Sequence, residues 1–172
     1  NEPDKLRTRI QEAVERDCDE KGRKYDATLL GYGLCSNGIV GIKSPVKLVV
    51  PRAHDCITLL LGSKEKYRKY FDTHKGIYWY SPGWIDTGTQ PGRQRYEQTR
   101  AEYEQKYGKD NADYLMEMEQ NWMNEYQRAV FIDWGMVNAR RYREYTRKCA
   151  EYMGWDYDRL EGDPRLLEKL MA

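Results

Sequence analysis

The chain reads as an α/β protein: a mostly parallel open sheet of about four strands with helices on both faces, a Rossmann-like layered sandwich. Three observations predict it. Short apolar runs alternate with stretches of helical periodicity, the order in which βα units are built. The runs 27–34, 47–50, 77–80 and 129–134 are dominated by apolar or aromatic residues, as strands buried on both faces are. The runs stop at Cys35-Ser36-Asn37-Gly38, Pro51, Ser81-Pro82-Gly83 and Gly135, so the chain leaves each strand through a turn or a helix start. At 172 residues the chain has the size of a single domain with a sizeable core.

Residues 3 to about 16 place Leu6, Ile10, Ala13 and Val14 at helical spacing behind Pro3, which suits the first turn of a helix. Cys18 extends this stripe and reads as a core or fraying-end thiol rather than a ligand. The strand 27–34 ends in Cys35-Ser36-Asn37-Gly38, and Gly31 and Gly33 inside it imply that something approaches the backbone closely there. Pro45 and Pro51 bracket the short strand 47–50. The link between these two strands is about the minimum for a parallel crossover. Asp55 is placed to cap a helix running from Cys56 past Gly62 toward Tyr70. The strand 77–80 leads into Ser81-Pro82-Gly83-Trp84, read as a turn.

From Asp86 onward the composition turns polar and helical. A loop over 87–95 precedes two charged helices, 96–107 and 112–127, parted at Gly108. Tyr114, Met118, Trp122 and Tyr126, with Leu115 and Met123 beside them, form a stripe that reads as a packing face. The strand 129–134 closes on Asp133-Trp134-Gly135, where Asp133 either orients a ligand or caps the next helix; the cap is the preferred reading. The helix 138–153 then carries Tyr142, Tyr145, Cys149 and Tyr152 on one face, with Cys149 read as core. The chain begins in a helix and stops after the helical fragment 166–170. It is therefore expected to be an excerpt of a longer protein that lacks terminal strands.

With 29 basic and 28 acidic residues the net charge is +1, so no global field steers the chain to nucleic acid or to a membrane. The basic helix segment Arg140-Arg141-Tyr142-Arg143 reads as a solvated face balanced by Glu144 and Glu151. No apolar run approaches the ~20 residues of a membrane span, and the charged start lacks the apolar centre of a signal peptide. Four cysteines without CxxC spacing fit a reducing cytoplasm better than a disulfide framework. The 15 Tyr and 5 Trp against 2 Phe supply rings with polar tips, suited to half-buried surfaces or to the wall of a polar ligand site.

Chemistry is concentrated between Gly31 and Cys56, because ligands of open parallel sheets sit at the carboxyl ends of the strands. Cys35 follows one strand, in a turn whose N–H groups at Ser36, Asn37 and Gly38 are candidates for an anion-binding nest. Cys56 stands at a helix start, where the helix dipole would favour the thiolate. His54 adds a candidate nitrogen ligand or a hydrogen-bond partner for the thiolate. Arg52 is a candidate anion contact, and Trp84 with Tyr80 a candidate ring wall. Cys35, Cys56 and His54 make three metal ligands, one short of a closed zinc site. The alternative is that both cysteines are small buried hydrophobes and His54 an ordinary loop residue.

The segments LGYGLCSNGIVGI, LVVPRAHDCITLLLGSKEKY and YWYSPGW together resemble the archaeal and bacterial domain of unknown function family 1638, over most of the chain. The family has no generally established activity. The resemblance implies a further strand-end cysteine upstream of this chain and a strand beyond its end. It also implies three thiolates with His54, a set suited to zinc or to an iron–sulfur cluster with one open position. A setting in anaerobes, beside corrinoid methyltransferases, is likewise what the resemblance implies.

Three functions are therefore expected to compete. The first is a cytoplasmic metal-thiolate protein, with zinc or an iron–sulfur cluster, that binds a small anionic or sulfur-containing ligand in anaerobic one-carbon metabolism. Its metal ligands would be Cys35, Cys56 and His54. The second is a metal-free thiolate transferase with Cys56 as nucleophile. The third is a non-catalytic module whose helical half docks a partner protein, a corrinoid protein or methyltransferase among them.

Overall fold

The structure is a computed structural model that describes residues 3–35 and 37–172. In chain order its elements are helix α1 (Pro3–Val14), strands β1 (Ala27–Leu29) and β2 (Lys47–Val49), helices α2 (Cys56–Leu61) and α3 (Lys64–Thr73), and strand β3 (Ile77–Tyr80). Helices α4 (Pro82–Thr87), α5 (Arg93–Tyr107) and α6 (Lys109–Met123) follow, then strand β4 (Arg128–Asp133), helix α7 (Ala139–Met153), strand β5 (Asp156–Glu161) and helix α8 (Arg165–Met171). Every paired strand runs parallel to its neighbour, so the fold is α/β with parallel pairing.

The expected single sheet of about four strands is two sheets among the described residues, β1-β2 and β3-β4-β5. They lie in two compact units: the chain up to Arg68 together with Asp163–Ala172, and Lys69–Gly162. In the first unit the ladder is short for a local reason. β1 and β2 pair over three residues each; one further bond runs from Leu30 N–H to the Val49 carbonyl, at 2.9 Å. Pro51 then offers no donor, and the glycines at 31 and 33 carry the first chain out of the strand. Leu167 of α8 packs on Gly31, 3.5 Å from where a Cβ would stand. The expected helix from Cys56 to Tyr70 breaks into α2 and α3 at Gly62. There the backbone turns left-handed (φ 69°) and a Cβ would meet Asp163 at 2.6 Å, two demands that only glycine meets cheaply.

In the second unit β4 is central and buried from Ala129 to Asp133. Ala129 and Phe131 join Tyr80 of β3, Met123 of α6, Trp155, and Tyr142, Cys149 and Ala150 of α7 in one core cluster. The period-two alternation of β3 sends Trp79 to the other face, where its ring meets that of Tyr70 from α3 at 5.6 Å. Helices thus cover both faces. β5 was not expected, because Asp-Tyr-Asp-Arg-Leu-Glu contains no apolar run; as an edge strand only part of it needs burying. α4 also replaces an expected turn. Its start is set by the Ser81 hydroxyl, which accepts from the Trp84 N–H at 3.3 Å, and by Pro82 at the first helical position.

The expected packing stripe holds only at its end, where Met123 joins the core cluster and Tyr126, just beyond α6, packs against it. Tyr114, Met118 and Trp122 stand 63%, 54% and 47% exposed, while Ala112, Met116 and Met123 are buried. α5 packs along α6.

Candidate functional site

Because β1 and β2 run parallel, their carboxyl ends emerge side by side. The two exit segments stay in contact beyond the ladder, with Leu34 N–H donating to the Ala53 carbonyl at 3.2 Å. Gly33 explains how they fit. A Cβ there would stand 2.6 Å from the Asp55 carbonyl carbon and 2.7 Å from the Cys56 nitrogen. What approaches the glycine-containing strand end is therefore the chain itself, at the start of α2. This contact brings together Cys35 and Cys56, which are 21 positions apart in sequence.

Both thiols are exposed, and neither is in a disulfide. The Cys56 thiol is held above its ordinary pKa, first by loss of surrounding water and then by the charge of Cys35 and of Asp55. The backbone N–H groups of Cys56 and Ile57 pull the other way and lose. That direction is opposite to the one expected of a helix dipole, since α2 has only six residues and an acidic side chain lies next to the sulfur.

Asp55 is the cap the sequence proposed, with its carboxylate accepting from the Thr58 N–H at 2.6 Å. His54 is exposed, with Nδ1 3.6 Å from Asp55 Oδ2, and Arg52 is exposed beside it. Ser36 lies outside the described residues. Asn37 adopts a left-handed backbone (φ 52°), but its N–H donates to the Leu34 carbonyl at 3.1 Å, so it is engaged in the turn rather than held open for an anion. Gly38 is buried. Arg7 of α1 donates to the Asn37 carbonyl at 3.4 Å. Gln11 bonds the Lys43 carbonyl and N–H at 2.8 and 2.9 Å, which ties the loop after Cys35 to α1. Trp84 and Tyr80 belong to the second unit. Tyr80 is fully buried, its hydroxyl donating to the Pro91 carbonyl at 3.2 Å.

Among the described residues no group of three or more His, Cys, Asp or Glu is gathered to hold a metal ion. The expected set of Cys35, Cys56 and His54 is therefore not gathered, and the two thiols alone would supply half of a tetrahedral zinc shell and fewer than a cluster's four cysteines. The residues present do not complete either group.

One feature of the second unit lay outside the expected site. Asp133 does not cap α7; its Oδ1 accepts from the Gly135 N–H at 2.9 Å and closes a turn. Arg143, read from sequence as part of a solvated face, and Arg159, which carried no signal, both reach it. The sequence hint was Asp133 itself, a carboxylate at the end of an apolar strand.

The fold and this region define an α/β protein with parallel strand pairing and two exposed thiols in the segments that follow β1 and β2. The chain belongs to the family described as Protein of unknown function (DUF1638), which matches residues 1–171. No curated protein and no solved structure matches it. Among the described residues no helix is long and apolar enough to cross a membrane.

Proposed function

We propose that the chain is a metal-thiolate protein in which Cys35 and Cys56 hold a zinc ion together with a small anionic or sulfur-containing ligand, with Arg52 as the ligand's anion contact. The observation that carries this reading is the seating of α2 on Gly33. Cys35 and Cys56 are two exposed thiols in the segments that follow β1 and β2, on the side of a parallel sheet where ligands gather. Two thiolates leave coordination positions for a ligand, and an open position is what metal-assisted chemistry uses. The family resemblance supports a setting in anaerobic one-carbon metabolism, beside corrinoid methyl transfer, and the four cysteines without CxxC spacing support a cytoplasmic location. His54, which is not gathered with the two cysteines as a third ligand, serves as an outer partner; an iron–sulfur cluster is the alternative occupant.

A metal-free transferase with Cys56 as nucleophile has less support, because that thiol is held protonated beyond the ordinary range. Docking of a partner protein, a corrinoid protein among the candidates, draws support from the exposed α6 stripe.

The test is elemental analysis and an ultraviolet–visible spectrum of protein purified without oxygen, with C35S and C56S alongside. Stoichiometric zinc that is lost in both variants is the expected result. Iron with a charge-transfer band lost in both would replace zinc by the cluster. Folded, metal-free wild-type protein, or metal retained in both variants, would overturn the reading.

A further inference from the structure

We infer a second, independent ligand site in the second unit: an anion site for a carboxylate or phosphate group at the carboxyl ends of β4 and β5, held by Arg143 and Arg159. An open cavity of about 460 Å³ lies there, lined by Asp133, Trp134, Arg143, Arg159, Glu161 and Gly162, and by the first residue of α7. That volume is within the ~300–1,000 Å³ of small-molecule sites. The position is the crevice of a parallel sheet, at the β4–α7 turn, which Gly135 makes with a left-handed backbone (φ 66°).

The charge arrangement points to an anion. Asp133 is the buried acid at the floor, its side chain 8% exposed, with Arg143 at 3.7 Å and Arg159 at 3.5 Å. These separations are ion pairs beyond hydrogen-bond reach. Glu161, 3.6 Å from Arg159, is 82% exposed, so water screens its charge. Two guanidinium groups therefore face one effective buried carboxylate. The N-terminal end of the 15-residue α7 opens into the same cavity; its Ala139 and Arg141 N–H groups already donate to the Met136 and Asn138 carbonyls, so what it adds to the arginines is the partial positive charge of the helix end. Guanidinium forks match carboxylate and phosphate oxygens two at a time. Asp133 holds both forks in place and is a positioning residue. Trp134 lies across Gly162 so closely that any side chain at 162 would displace it, giving the cavity an aromatic wall for the ligand's apolar part.

Calorimetric titration of the full chain with inorganic phosphate and, separately, with succinate tests this. Saturable binding of either in the millimolar range or tighter, weakened on the order of tenfold or more in Arg159→Gln, is expected. The anion that binds more tightly identifies the ligand class. Glu161→Gln, which removes an exposed acid from the rim, should bind at least as well as the wild type. Arg159→Lys keeps the charge and loses the fork, and serves if Arg159→Gln does not fold; its binding should fall while its circular dichroism and melting temperature hold. No saturable binding of either anion by wild-type protein, or undiminished binding in both Arg159 variants, would overturn the site. Neither result depends on metal at Cys35 and Cys56.

Discussion

At the scale of single residues, the thiol pair depends on a residue that has no side chain. Gly33→Ala would put a methyl group 2.6 Å from backbone that cannot move without shifting α2. A stability loss of about 1–3 kcal/mol is expected, measured by urea unfolding, together with loss of metal if the pair binds one. Cys56 carries a second residue-scale prediction. With its pKa raised, the thiolate fraction at neutral pH is smaller than in a free cysteine, so alkylation at Cys56 should be slower than that of a model thiol. Its rate should keep climbing above the free thiol's ~8.5. Mass spectrometry of iodoacetamide-treated protein over a pH series checks this, and Asp55→Asn, which removes one neighbouring charge, should shift the curve toward lower pH.

At the scale of elements, α2 and α6 make contrasting predictions. α2 is six residues long and relies on its Asp55 cap. Asp55→Ala should cost about 1 kcal/mol, whereas Asp55→Asn, which still offers an acceptor to the Thr58 N–H, should cost little. In α6 the ranking by burial reverses the ranking by size. Trp122→Ala, at an exposed position, should change stability by no more than about 0.5 kcal/mol beyond its ring contact with Tyr126. Met116→Ala, in the buried face, should cost about 2–5 kcal/mol. Thermal melts of the two variants side by side decide which face packs.

At the scale of the whole molecule, the aromatic-rich core sets an alkaline limit. Burial pushes up the pKa of the Cys149 thiol and of the Tyr78, Tyr80 and Tyr145 hydroxyls, so folding favours their neutral forms. The unfolded chain ionises its thiols near ~8.5 and its tyrosines near ~10, while the folded chain keeps the protons. The unfolded state then binds fewer protons, and stability falls as pH rises. This contribution is complete below the ordinary thiol pKa and is lost on the way up to the raised values. The urea midpoint should therefore drop between about pH 7 and about pH 10, and Cys149→Ala should flatten the first part of that drop.

The apolar runs and their stops determined, from sequence alone, four of the five strands among the described residues, the parallel α/β class, the cap at Asp55 and the close approach at Gly33. Those are local matters: strand propensity, turn chemistry and the room a missing Cβ leaves. Only the tertiary structure decided how the strands pair into two sheets, since an apolar run does not name its partner. β5 escaped because an edge strand need not be apolar, and the α6 stripe misled because its neighbour packs on another side of the helix. The same distinction governs the sites. Cys35 and Cys56 were legible because each stands where an apolar run gives way to a turn or a helix start, but the direction of the Cys56 pKa came from the lost water around it, the second thiol and the carboxylate. Arg143 and Arg159 were ordinary surface charges in sequence. They became a candidate anion site when β4, β5 and α7 converged on Asp133, because long-range charge placement is a property of the folded chain.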